Sequence, residues 1–365
     1  RRFECLTKLN LNHCHSLTLL PPSIGLLGKL KSLKLESCKK LSSLPTEIGS
    51  LIRLETLYLN GCISLTSVPD KLGELLLLTE LGMSGCSSIV KLPASIGNLK
   101  ALKELNVSRC KNLVSFPIER GLVQLERLDL SHCIGFTSLP LMMEFPALRS
   151  LNLQGCSSLV GVPESIMEGL ELLQTLDMSE CTQLQMLPES IEKLQVLRRL
   201  NLHNASHLDS LPESIGELED LVYLDASGCR NLTTLPESIC NLRSLEKLDL
   251  HDCKSLQKLP HSFSNISELK WLNLEDCRSL QTLPKSVKMN KLTRLEVFKY
   301  TGCPILEKDE KIRRLRSAVR RRTEQKNTMV KLSQSTVANS LRKVGIRGGT
   351  GTLFWEKSPV STTEL

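Results

Sequence analysis

Residues 54–77 read LETLYLNGCISLTSVPDKLGELLL, and most of the chain restates this sentence. Counting from Leu54, leucines stand at places one, four and six, Cys62 at place nine, Leu65 at place twelve and Pro69 at place sixteen. Such units begin at Leu6, Leu30, Leu54, Leu78, Leu102, Leu125, Leu148, Leu173, Leu197, Leu221, Leu245, Leu269 and Leu295. Places four and six alternate inward as in a short strand, while places three, five and seven face outward. One such strand cannot bury its face alone, so neighbours stack. The expected fold is an α/β solenoid. It has a parallel concave sheet and short helical or 3₁₀ convex segments, curved like a horseshoe, with a helical cap at the C-terminal end.

The period and the pattern L-x-x-L-x-L-x-x-C-x-x-L are those of a leucine-rich repeat. Twelve of the sixteen prolines, Pro21 through Pro284, follow the residue at place fifteen. A preset φ and the lack of an N–H suit the start of a helical turn. Ile215 and Leu218 give one such turn an apolar inner side. Regularity lapses where Phe116–Arg120 and Leu141–Pro146 replace the usual convex segment, and again at Lys288–Arg294. A simple change of curvature is the preferred reading there, with an exposed Met142–Met143 patch for a partner as the alternative.

Residues 1–303 form the solenoid in this reading, 304–345 a basic helical cap and 346–365 a disordered tail. Ile312, Leu315 and Val319 have helical spacing, as do Val337, Leu341 and Val344. Because Arg1–Cys5 resembles the end of an earlier repeat, the sequence is expected to be a piece of a longer protein. Residues 304–365 hold 14 Lys+Arg against 6 Asp+Glu, which accounts for the whole-chain charge of +8. Basicity therefore belongs to the tail.

Twelve of the 14 cysteines share place nine, leaving Cys5 and Cys240 apart. Identical placement implies a buried ladder of thiols, each S–H a weak donor to turn carbonyls, and hence a reducing compartment. Ala205 takes the place in one repeat. Sequons at Asn106, Asn204, Asn231 and Asn265 argue the other way, though Asn106 falls inside a strand. The expected location is cytoplasmic, with nuclear entry open.

No phosphate loop, H-E-x-x-H, G-x-S-x-G or paired C-x-x-C motif is found, so neither an enzyme, a metal site nor a cofactor is expected. What remains is surface. Aromatic residues make up only 3% of the chain, yet place three runs Arg199, Tyr223, Lys247, Trp271 in consecutive repeats, with His203 and His251 nearby at place seven. Exposed Tyr, Trp and Arg dominate interface energetics. The competing reading is a self-contained ladder in which Lys247 sits between two rings. Tyr58 is an isolated further candidate. Place five alternates acid and amide, from Asn106 to Asn273, either to read a basic partner or to bond its neighbours. In the tail, Arg313, Arg314, Arg316, Arg320, Arg321 and Arg322 form a basic cluster. It could be a solvated helix face, or could touch nucleic acid, membrane or the import machinery.

The unit Leu221–Leu242, with Ala226 and Cys240 as departures, resembles the repeats of plant intracellular nucleotide-binding leucine-rich-repeat disease resistance receptors of the TIR type. The resemblance covers residues 1–303. It implies a protein ligand, either a pathogen effector or a host signalling protein, and restraint of an adjoining nucleotide-binding domain in a longer parent. The Pro-x-x-Ile element is also similar to Ras-group leucine-rich-repeat scaffolds, and L-x-L-x-x-C to substrate adaptors of ubiquitin ligases.

Overall fold

Each repeat contributes one three-residue strand to the computed structural model, which describes residues 5–281, 292–310, 312–325 and 328. The strands are β1 (Lys8–Asn10), β2 (Ser32–Lys34), β3 (Thr56–Tyr58), β4 (Glu80–Gly82), β5 (Glu104–Asn106), β6 (Arg127–Asp129) and β7 (Ser150–Asn152), followed by β8 (Thr175–Asp177), β9 (Arg199–Asn201), β10 (Tyr223–Asp225), β11 (Lys247–Asp249), β12 (Trp271–Asn273) and β13 (Val297–Lys299). They form one parallel sheet in chain order. Pairing is in register by place, so Leu200, Leu224, Leu248 and Leu272 form one continuous row. The fold is a leucine-rich-repeat solenoid.

The chain divides into two units, Arg1–Arg316 and Ser317–Leu365. In the first, the leucines of places one, four and six are buried from Leu30 onward, with methionine, valine or alanine in a few repeats and Phe298 and Tyr300 in the last. Prolines at place sixteen precede 3₁₀ turns such as Asp70–Glu74 and Glu213–Glu217. Here Ile215 and Leu218 are both fully buried. The glycine of the Ser-Ile-Gly element has its own reason, since a Cβ at Gly25 would lie 2.8 Å from Glu47 O of the next turn. Cys240 occupies this glycine place, which accounts for its departure from the ladder.

Ladder thiols from Cys38 to Cys303 each donate to the place-six carbonyl of the preceding repeat, at 2.8–3.3 Å. Their S–H groups thus tie rungs together. Burial first of all pushes Cys62 and Cys181 up to about 12, which leaves them poor nucleophiles. Cys14 departs from the expected buried ladder and is exposed. The thiol bond reaches back one repeat, and Cys14 stands in the first.

The backbone just ahead of each ladder place has a feature that no residue type marks in the sequence. The residue before each ladder place has a left-handed backbone, φ +56° to +78°, from His13 to Gly302. Glycine fills some of these places, but Glu180 has φ +59°. Since a side chain in this region costs about 1–2 kcal/mol and glycine returns part of that in entropy, Glu180→Gly is expected to raise the unfolding free energy by about 0.5–1 kcal/mol in urea titration.

The irregular repeats five and six lack the 3₁₀ turn and are joined instead by a parallel bridge between Arg120 and Glu144. Phe116 and Phe145 meet edge-on with centroids 6.3 Å apart. Met143 is fully buried, which removes the alternative of an exposed methionine pair. It occupies the isoleucine place of the standard turn and fills the same core volume. Met142 is half-buried, with its Sδ 3.5 Å from the Arg120 guanidinium.

On the 3₁₀ side, Glu164 accepts N–H bonds from Glu189 at 3.1 Å and Ser190 at 2.8 Å. Glu189 does the same for Glu213 and Ser214. Each glutamate thus caps the next repeat's turn, meeting N–H groups that the turn itself cannot satisfy. The Ser190 N–H, most of all, holds the Glu164 carboxyl below the usual glutamate range. A depressed folded pKa stabilises above the ordinary glutamate value and is lost as pH falls through the folded one. Glu164→Ala is therefore expected to cost up to about 1 kcal/mol at pH 7, and less at pH ~3, in denaturation curves at the two pH values.

Helical residues run over 312–325. In the first unit Ile312 and Leu315 are buried, and Arg316 stacks over Tyr300 of the last repeat at 5.7 Å. The second expected helix, at Val337, Leu341 and Val344, and the Lys288–Arg294 irregularity up to residue 291 lie outside the described residues.

Candidate recognition surface on the strand face

Parallel in-register pairing superposes equal places, so residues three repeats apart in sequence become a row across the sheet. Arg199 pairs with Tyr223, Tyr223 with Lys247, and Lys247 with Trp271. The Arg199 guanidinium lies 4.6 Å from the Tyr223 centroid. Lys247 Nζ stands 4.9 Å from Tyr223 and 4.5 Å from Trp271. Lys299, absent from the sequence-level set, adds a cation 6.0 Å from the far side of Trp271. Its signal was weak because it stands at place five, not three. The row alternates cation and ring over β9 to β12, and Lys299 reaches Trp271 from β13, two residues further along its strand.

Such contacts contribute about 0.5–2 kcal/mol each according to desolvation. Tyr223 is the inner member, 9% exposed, its ring flanked by the Arg199 guanidinium and Lys247 Nζ. Its hydroxyl donates to Asp225 Oδ2 at 2.9 Å, and burial, then the Asp225 charge, pushes its pKa well up. Trp271 and Lys247 are half-buried and Arg199 is exposed. Tyr223 therefore holds the ladder, while the cations and Trp271 meet solvent.

The acid and amide row at place five has a local task. Asn10, Asn106, Asp129, Asn152, Asp177, Asn201, Asp225, Asp249 and Asn273 each accept the N–H two residues on through Oδ1. These bonds turn the chain at the strand end. Where place five is Gly82, Asn60 Oδ1 of the preceding repeat takes over, accepting from Ser84 N–H at 2.9 Å. Burial and the nearby Asp225 charge raise the Asp249 pKa.

His203 and His251 stand two strands apart. His203 Nδ1 meets Ser227 Oγ at 2.7 Å and its Nε2 meets Asn204 Nδ2 at 2.8 Å, whereas the buried His251 Nδ1 has no hydrogen-bond partner among the described residues. Tyr58 belongs elsewhere on the sheet. Lys34 Nζ lies 5.4 Å from its ring, and its hydroxyl donates to Glu80, which pushes its pKa up to about 12. Among the described residues, no His, Cys, Asp and Glu group is arranged to hold a metal ion, and no helix is long and apolar enough to cross a membrane.

The basic cluster is partly offset within each unit. Arg314 pairs with Glu310, and Arg313 Nε donates to Glu307 O at 3.1 Å. In the second unit Arg320 pairs with Glu324 at 2.8 Å and Arg321 Nε donates to Ser317 O at 3.3 Å. Arg322 is half-buried.

Residues 128–253 match the model of a leucine-rich repeat region, and residues 244–266 match a single leucine-rich repeat. Regions of this class generally mediate protein–protein recognition. A leucine-rich repeat protein of Leptospira interrogans is similar, at 26% identity and TM-score 0.44, over 86% of this chain and 95% of that one. The TLR13–ssRNA13 complex is similar at 21% identity and TM-score 0.49, over 82% and 52%. An internalin from Listeria monocytogenes is similar at 15% identity and TM-score 0.35, over 78% and 86%. No curated protein matches the sequence.

Proposed function

We propose that the strand face binds a protein partner, and that the chain is the effector-sensing and autoinhibitory repeat domain of a plant intracellular immune receptor. The carrying observation is the Arg199–Tyr223–Lys247–Trp271 row, which places both large ring types on the outward face of an aromatic-poor chain. The receptor assignment draws on the Leu221–Leu242 unit and its likeness to the TIR-type repeats. Thiols used as hydrogen-bond donors along the ladder support a reducing, cytoplasmic or nuclear setting. The partner is a pathogen effector or a host signalling protein, and in a longer parent the repeats restrain an adjoining nucleotide-binding domain.

Photo-cross-linking residues placed at Thr175 and Val297, on the strand face, should capture one and the same protein in plant cells, while one at Glu192 on the 3₁₀ side captures none. Capture from Glu192 alone would reverse the assignment of faces. A parent transcript without an upstream phosphate loop would remove the receptor assignment and leave the recognition module.

A further inference from the structure

The run Arg313–Arg322 holds six arginines and no acidic residue, and recognition on the strand face leaves it without a task. Ser317 stands in its middle. Of all the serines in the chain, Ser317 alone has an arginine three places before it, Arg314, and Ile312 adds an apolar residue five places before it. Basophilic serine/threonine kinases choose substrates by such charge patterns, reading an arginine at that distance. Thr56, Thr233, Thr323 and Thr350 share the arginine. Thr56 and Thr233 are bound into the solenoid, the first donating to Ser32 Oγ at 2.8 Å on β3 and the second accepting Gln257 N–H at 2.9 Å. Thr323 donates its hydroxyl to Val319 O at 3.1 Å and is followed at once by the like charge of Glu324. Thr350 lies outside the described residues.

A kinase takes its substrate extended, so an acceptor must stand where the chain opens locally. Ser317 is exposed, and beyond Leu306 only Ile312, Leu315 and Val319 are buried among the described residues. One repeat of the solenoid buries more than that. Segments with so few buried apolar side chains open well before the core does.

The helix also carries groups suited to the product. Arg320 and Arg321 follow Ser317 by three and four places, the spacing at which helical side chains meet. Arg321 Nε already donates to Ser317 O at 3.3 Å. Arg320 is held by the exposed Glu324 at 2.8 Å, a single carboxylate that a phosphate dianion outbids.

We infer that Ser317 is a phosphorylation site for a basophilic serine kinase, and that Arg320 and Arg321 hold the phosphate. Ser317 Oγ attacks the γ-phosphorus of ATP, and the bond from that phosphorus to the bridging oxygen breaks with its electron pair leaving on ADP. The hydroxyl proton passes to the catalytic aspartate of the kinase. At about −2 charges the phosphate cancels about a third of the positive charge of the run. The modification thereby sets how strongly this helix face attracts anions.

The whole chain, incubated with Mg-ATP and a calmodulin-dependent protein kinase, should take up one phosphate, mapped by mass spectrometry to Ser317. Ser317→Ala should lose at least about 10-fold in incorporation, and the exposed Arg314→Gln about as much in kcat/KM. In phosphorus-31 NMR titration of the modified chain, the second phosphate pKa should lie below the ordinary value of about 6 and return to it when Arg320→Gln and Arg321→Gln are combined. No incorporation, incorporation at another residue instead, or a rate unmoved by Arg314→Gln overturns the site. A phosphate at Ser317 that titrates at about 6 with and without the two arginines overturns their role.

Discussion

Leu248→Ala is expected to lower the unfolding free energy by about 2–5 kcal/mol in urea titration, the range for a leucine emptied from a packed core. Leu248 is fully buried on β11 between Leu224 and Leu272. Each repeat touches chiefly its neighbours, so the loss weakens two interfaces at once. The transition should also broaden, because a weak rung in a linear array lets the two sides melt apart. A loss below ~1 kcal/mol with an unchanged slope would mean that the leucine rows do not hold the solenoid together.

Gly121→Ala comes next in size, and for a different reason. Gly121 has φ +100°, outside the usual left-handed well, where a side chain is strained whatever the space. Its missing Cβ would also collide with the Gly97 carbonyl, which is backbone and cannot swing aside. Strain and overpacking together suggest about 2–4 kcal/mol. Thermal melts of Gly121→Ala beside Gly28→Ala, where a Cβ meets nothing within 4 Å, separate this local cause from loss of glycine in general. Equal effects at the two positions would refute it.

The frame was legible because leucine spacing reports strand alternation directly and because parallel in-register stacking turns equal places into rows. That logic placed Arg199, Tyr223, Lys247 and Trp271 side by side before any coordinates. It could not foresee how deep Tyr223 sits, since its ring lies between the Arg199 guanidinium and Lys247 Nζ and its hydroxyl is tied down to Asp225. The alternative of an exposed Met143 falls because its place in the repeat marks it as core, even though its local company looks irregular. The left-handed turn residue escaped notice because His13, Arg109, Glu180 and Asp252, at φ +58° to +60°, share no side-chain chemistry. Glutamate caps from one repeat to the next escaped because their signal spans a whole period rather than one helix turn.

Trp271→Ala decides whether the outward row recognises a partner or merely props the sheet. Trp271 is the more exposed of the two rings, so its removal separates the two roles where Tyr223→Ala, which also empties a buried site, does not. The affinity of the cross-linked partner and the melting temperature should be measured on the same preparation. A recognition row should lose at least about 10-fold in affinity with a melting temperature lowered by no more than about 3 °C. Unchanged affinity accompanied by a large drop in melting temperature would contradict it, and would make the row a strut.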